Sequence, residues 1–130
     1  MHFDDFSNAK DAYAQSTRSI GDARGLEYQV FARITRQLSA ANDRADEDFP
    51  AYAAALHENL RLWTLLASDV ARDGNKLPAA LRAQIFYLFE FTRAHTRKAL
   101  DRAASVHALI DINTAIMRGL KSPPAKTEAA

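Results

Sequence analysis

Leu109-Ile110-Asp111-Ile112-Asn113-Thr114-Ala115-Ile116-Met117-Arg118-Gly119-Leu120 has the spacing of a helix. Leu109, Ile112, Ile116 and Leu120 recur at the intervals that bring side chains onto one face. Asn113 falls on that apolar face, where an amide without a partner is costly. Asp111 and Arg118 lie on the other side, two turns apart.

The same period runs back through the chain. A short helix is expected over Asn8 to Ser16, with Ser7 as its N-cap. Asp22 is placed to cap a second helix reaching Ala41, with Leu26, Val30, Ile34, Leu38 and Ala41 as its stripe. A polar, acidic connector over 42–48 leads into a third helix opening at Asp48-Phe49-Pro50, where proline is tolerated. Its stripe is Phe49, Tyr52, Leu56, Leu60, Trp63 and Val70, and Asp73-Gly74-Asn75 ends it. Pro78 suits the first position of a fourth helix running to Arg102. Ser105 is a cap for the fifth helix, which Gly119 and Pro123-Pro124 close. No alternation long enough for a sheet occurs. These readings define an all-α fold, a compact bundle of about five helices. It forms one domain over 1–120, with a tail at 121–130 expected to be disordered.

Composition narrows the function. The 130 residues are 48% hydrophobic and 25% charged, as in a globular domain, with a net charge of +1. Residues 1–50 hold six Lys/Arg against nine Asp/Glu, and residues 51–130 eleven against seven. That imbalance is too weak for a typical nucleic-acid binder and fits orientation toward a protein partner. Without cysteine there is no disulfide or thiolate site. Met1-His2-Phe3-Asp4-Asp5-Phe6 is acidic where a secretion signal needs basic residues, and no apolar run approaches the roughly 20 residues that span a bilayer. A cytoplasmic protein without membrane insertion is expected.

Chemistry is equally sparse. Gly21, Gly25, Gly74 and Gly119 make no phosphate loop or dinucleotide fingerprint, and His2, His57, His95 and His107 lack metal-ligand spacing. We expect no catalytic residues, no cofactor and no metal, hence no enzyme.

Ile85-Phe86-Tyr87-Leu88-Phe89-Glu90-Phe91 carries more information. Leu81, Ile85, Leu88, Thr92 and Ala99 trace one stripe, while Phe86 and Phe91 point away from it on different sides. A helix apolar around so much of its circumference is expected to be central and buried. The alternative is an exposed groove for a partner's amphipathic helix. Trp63 is expected as a core anchor. Asn59, one turn before it, and Asn113 are expected to hydrogen-bond to each other or to backbone and fix helix register. Arg93, Arg97, Lys98 and Arg102 make the end of the fourth helix basic, which complements its dipole. Without a known RNA module, direct RNA binding is not expected.

Three segments taken in order resemble the FlaF family of flagellar biosynthesis regulators. They are Asn59 to Leu66 with Asp69-Val70-Ala71, Asn75 to Ala83 continuing through Thr92-Arg93-Ala94-His95-Thr96, and Leu109 to Leu120. Asn59, Trp63, Pro78, Asp111 and Asn113 are the motif residues that carry the likeness. Tyr13 and Asp22 to Glu27 resemble the family's start, without the proline that often precedes the arginine. The resemblance implies a cytoplasmic helper of flagellin production that binds unassembled flagellin, whose terminal amphipathic helices pack only in the filament. It implies a role in flagellin translation and secretion, with FlbT as a further candidate partner. Phe86, Tyr87, Phe89 and Phe91 are then the candidate partner-binding residues. The alternative is a post-transcriptional regulator that acts on flagellin mRNA directly or through FlbT.

Overall fold

Helices α1 (Tyr28–Asp43), α2 (Phe49–Ala71), α3 (Ala79–Leu100) and α4 (His107–Lys121) make up the structure, a computed structural model that describes residues 28–121. The fold is all-α, with four helices among the described residues where five were expected along the chain. The helix expected at Asn8 to Ser16, the Asp22 cap and residues 122–130 of the expected tail lie outside the described residues. Lys121, assigned to the tail from sequence, is the last residue of α4.

Local chemistry sets most helix boundaries. The Asp48 carboxylate accepts the Ala51 N–H at 3.1 Å and caps α2, with Pro50 in the first turn. Ser105 Oγ accepts the His107 N–H at 3.0 Å and opens α4. Pro78 stands one place earlier than expected. Its ψ of 148° is extended, so it is the cap of α3, and its carbonyl accepts the Arg82 N–H at 3.0 Å. After α2 the chain turns through Gly74 at φ 88°, a conformation that favours glycine. Asn75 clasps this turn: its Nδ2 donates to the Asp69 carbonyl and carboxylate, and its Oδ1 accepts the Leu77 N–H.

Helix α3 stops at Leu100, short of the expected Arg102, because Arg102 adopts φ 61°. The Arg102 N–H donates to the Ala99 carbonyl at 3.0 Å and the Ala103 N–H to the Lys98 carbonyl at 2.8 Å, a Schellman closure. Helix α4, in contrast, continues through Gly119. A helical glycine costs only about 1 kcal/mol against alanine, too little to stop a helix whose Ile112, Ile116 and Met117 pack on the core.

Helix α2 packs against both α1 and α3, and α4 lies on α1 with a lighter contact to α3. Two apolar clusters result. Phe31, Ile34, Leu62, Trp63, Leu66 and Ile85 centre the first. Leu38, Tyr52, Leu56, Ala99, Val106 and Leu109 centre the second. The face of α1 is rotated from the expected stripe: Phe31 and Thr35 are buried, whereas Val30 and Ala41 are half-buried. A stripe traced in steps of four drifts around the helix by roughly 40° per step, which carried it off the core line. Phe49, also expected in a core stripe, is 42% exposed at the first turn of α2.

Each helix places a buried polar residue between the two clusters. Thr35, Asn59, Thr92 and Asn113 come from α1, α2, α3 and α4 in turn. Asn113 Nδ2 donates to Asn59 Oδ1 at 2.7 Å and to Thr35 Oγ1 at 3.1 Å, and Asn113 Oδ1 accepts Trp63 Nε1–H at 2.9 Å. The expected amide pair therefore forms, and one side chain links three helices. Thr92 Oγ1 and Asn59 Nδ2 are buried with no hydrogen-bond partner among the described residues. Thr92→Val removes only an unpaired hydroxyl, so urea unfolding should find it neutral or up to about 1 kcal/mol stabilising.

Tyr52 ties α2 to the end of α3. Its hydroxyl donates to the Ala99 carbonyl at 3.0 Å, and the Arg102 guanidinium sits 5.1 Å from its ring centroid. Arg102 also donates to Asp46 Oδ1 at 3.0 Å. Burial pushes the Tyr52 phenol above its ordinary value of 10.0, and Arg102 opposes that rise. The neutral phenol is thus the form that folding favours. Its contribution is full below pH 10 and is lost as pH rises through the elevated folded value. Tyr52→Phe should cost about 1 kcal/mol at neutral pH and flatten that alkaline loss, as read by urea unfolding across a pH series.

Candidate partner-binding surface

The outer face of α3 is the unusual surface of this bundle. Phe86 is 42% exposed, Tyr87 68% and Phe91 37%. Their exposure overturns the expectation that the run is central. The central helix is α2, and α3 packs mainly on that one neighbour. Among these residues Ile85 is buried, with Leu88 and Phe89 half-buried against the first cluster.

The four candidate aromatics do not form one patch. At about 100° per residue, Phe86 and Phe91 lie roughly 140° apart around the helix. Phe86 belongs with Phe89, their ring centroids 5.8 Å apart, and the Arg93 guanidinium lies 6.0 Å from the Phe89 ring centroid. Arg93 in turn donates to Glu90 at 2.6 Å, so its charge is locally paired. Phe91 stacks on His95 with centroids 5.2 Å apart. His95 Nε2 lies 2.7 Å from the Ser105 carbonyl, which requires the Nε2–H form as donor and pins the ring. One face of Phe91 is therefore already held before any partner arrives.

The other motif residues serve different ends. Trp63, Asn59 and Asn113 sit in the buried polar layer, and Pro78 caps α3. Asp111 is exposed on α4, on the side away from Asn113. Sequence reasoning missed Thr35 as a partner of Asn113, His95 as the brace of Phe91, and the Asp69–Asn75 clasp. A threonine between Ile34 and Leu38 was the available signal for the first. Phe91 and His95 have the i, i+4 spacing of neighbours on one helix face, a signal the sequence also carried. The Asp69–Asn75 clasp, in contrast, depends on the turn through Gly74.

Other features offer little chemistry. A groove of about 470 Å³ between α1 and α2 is lined chiefly by Ala40, Ala41, Ala51, Ala54 and Ala55. Among the described residues no three His, Cys, Asp or Glu side chains converge as a metal site. No helix among them is long and apolar enough to cross a membrane.

A helical bundle with a buried polar layer centred on Asn113 and aromatics turned outward is the architecture that the sequence motifs now join. The family model for the flagellar protein FlaF matches residues 9–120, and the chain belongs to that family. No curated protein and no solved structure matches it.

Proposed function

We propose that this chain is a non-enzymatic regulator of flagellar biosynthesis that binds unassembled flagellin in the bacterial cytoplasm and promotes its translation and secretion. The observation that carries the reading is the exposure of Phe86, Tyr87 and Phe91 on a helix whose opposite side is well packed. Membership of a flagellar family supplies the context. Large apolar side chains left in water on a folded domain favour a protein partner over catalysis. Flagellin's terminal amphipathic helices are apolar surfaces that need cover until the filament takes them up.

Gel filtration of the full chain with monomeric flagellin, intact and with both termini trimmed, tests this. Co-elution of the intact form alone is the expected result. No complex at micromolar concentration with either form contradicts it.

A second reading has an observation of its own. Arg97 and Lys98 are exposed on the same helix as Tyr87 and Phe91, a mixture that also suits flagellin mRNA, contacted directly or through FlbT. Binding to the flagellin leader that weakens steeply with salt would favour it.

A further inference from the structure

Ala80, Gln84, Tyr87, Phe91, Ala94 and Lys98 are all exposed, and they recur at alternating steps of four and three residues. That is the 3.5-residue period of a coiled-coil seam. It lies roughly 110° around α3 from the buried stripe and about 120° from Phe86. The helix thus carries two seams, one spent on the core and one unspent.

We propose that this outer seam receives a single amphipathic helix of flagellin, running antiparallel to α3 and bearing acidic residues in its first turn. The proposal rests on the flagellin reading above and fixes where, in what direction and with what charge the contact is made. Three observations carry it. The spacing suits knobs-into-holes packing by a helix, with Tyr87 and Phe91 as central anchors and small Ala80 and Ala94 allowing close approach. Phe91 is pre-positioned by His95, so little ordering is needed on binding. The seam ends at Lys98 beside Arg97, both exposed and forming no ion pair among the described residues. An antiparallel partner brings its N-terminal turn to these cations, where acidic side chains also satisfy that helix's own dipole. A nucleic acid fits less well. One face of Phe91 is occupied by His95, and Arg93 is neutralised by Glu90.

The test is an anisotropy titration of labelled, full-length flagellin monomer with the full chain, at low and moderate salt. Tyr87→Ala and Phe91→Ala should each weaken binding about tenfold or more, while Phe86→Ala, at an exposed position off the seam, stays within about twofold. Lys98→Glu should weaken binding and flatten its salt dependence. An acid-to-lysine change in the first turn of the flagellin helix should restore the Lys98→Glu variant. Circular dichroism should show all variants folded, since these side chains lie outside the core. If flagellin binds but Tyr87→Ala and Phe91→Ala match the wild type, the seam is wrong and the flagellin reading stands. If wild-type protein binds no flagellin, both fall. A homodimer dispersed by Tyr87→Ala, or leader-RNA binding abolished by Lys98→Glu without flagellin binding, would also overturn the proposal.

Discussion

Asn113→Ala should lower the unfolding free energy by about 3–5 kcal/mol, a large fraction of what holds such a domain together. The side chain is fully buried, and its removal leaves a void between α1, α2 and α4. It also leaves Trp63 Nε1–H without its acceptor, and Asn59 Oδ1 and Thr35 Oγ1 without the donor they share. Each orphaned group costs about 1–3 kcal/mol, so polar loss rather than lost volume dominates. The polar layer has a second consequence. An apolar residue here could slide along its neighbours, whereas an amide with three named partners accepts one register. Urea denaturation gives the free energy. An effect under about 1 kcal/mol would mean the three partners re-pair among themselves.

Trp63→Ala is expected to cost about as much, roughly 3–5 kcal/mol, mainly through lost packing. The indole is fully buried, and its ring meets Phe31 edge-on at 6.1 Å between centroids. Trp63→Phe keeps an aromatic ring in the core but removes the N–H together with part of the buried indole, so only a double-mutant cycle with Asn113 isolates the hydrogen bond. Combined with Asn113→Ala, Trp63→Phe should add less than its single-mutant cost, with a coupling of at least about 0.5 kcal/mol. Simple additivity would show that the 2.9 Å contact contributes little. Trp63 is the chain's sole tryptophan, so its fluorescence reports unfolding in every variant that keeps it.

Much of this fold could be read before any coordinates. Helix type, the opening of α2 at Asp48-Phe49-Pro50, the Ser105 cap and the Trp63 anchor follow from local spacing, because periodicity and capping are short-range. The Asn59–Asn113 pair was legible as two amides, each set beside an apolar stripe. Helix ends were less legible. Arg102 takes a left-handed conformation usually left to glycine or asparagine, so no residue type announced the stop. The placing of α3 was illegible for a different reason. A helix apolar on several sides is equally consistent with a central position and with an edge facing water, and only packing decides. Here α2 took the centre, leaving Tyr87 and Phe91 outside while Ile85 stayed buried. The 3.5-residue outer seam was present in the sequence throughout. It became meaningful once the core stripe was fixed.

Hydrogen exchange read by mass spectrometry, on the full chain with and without saturating monomeric flagellin, tests the account at its centre. Flagellin bound to the outer face of α3 should slow exchange in peptides covering 80–98 and leave 107–119 of α4 unchanged. A complex that protects α4, or the alanine-lined groove of α1 and α2, and leaves 80–98 as it was would contradict the account.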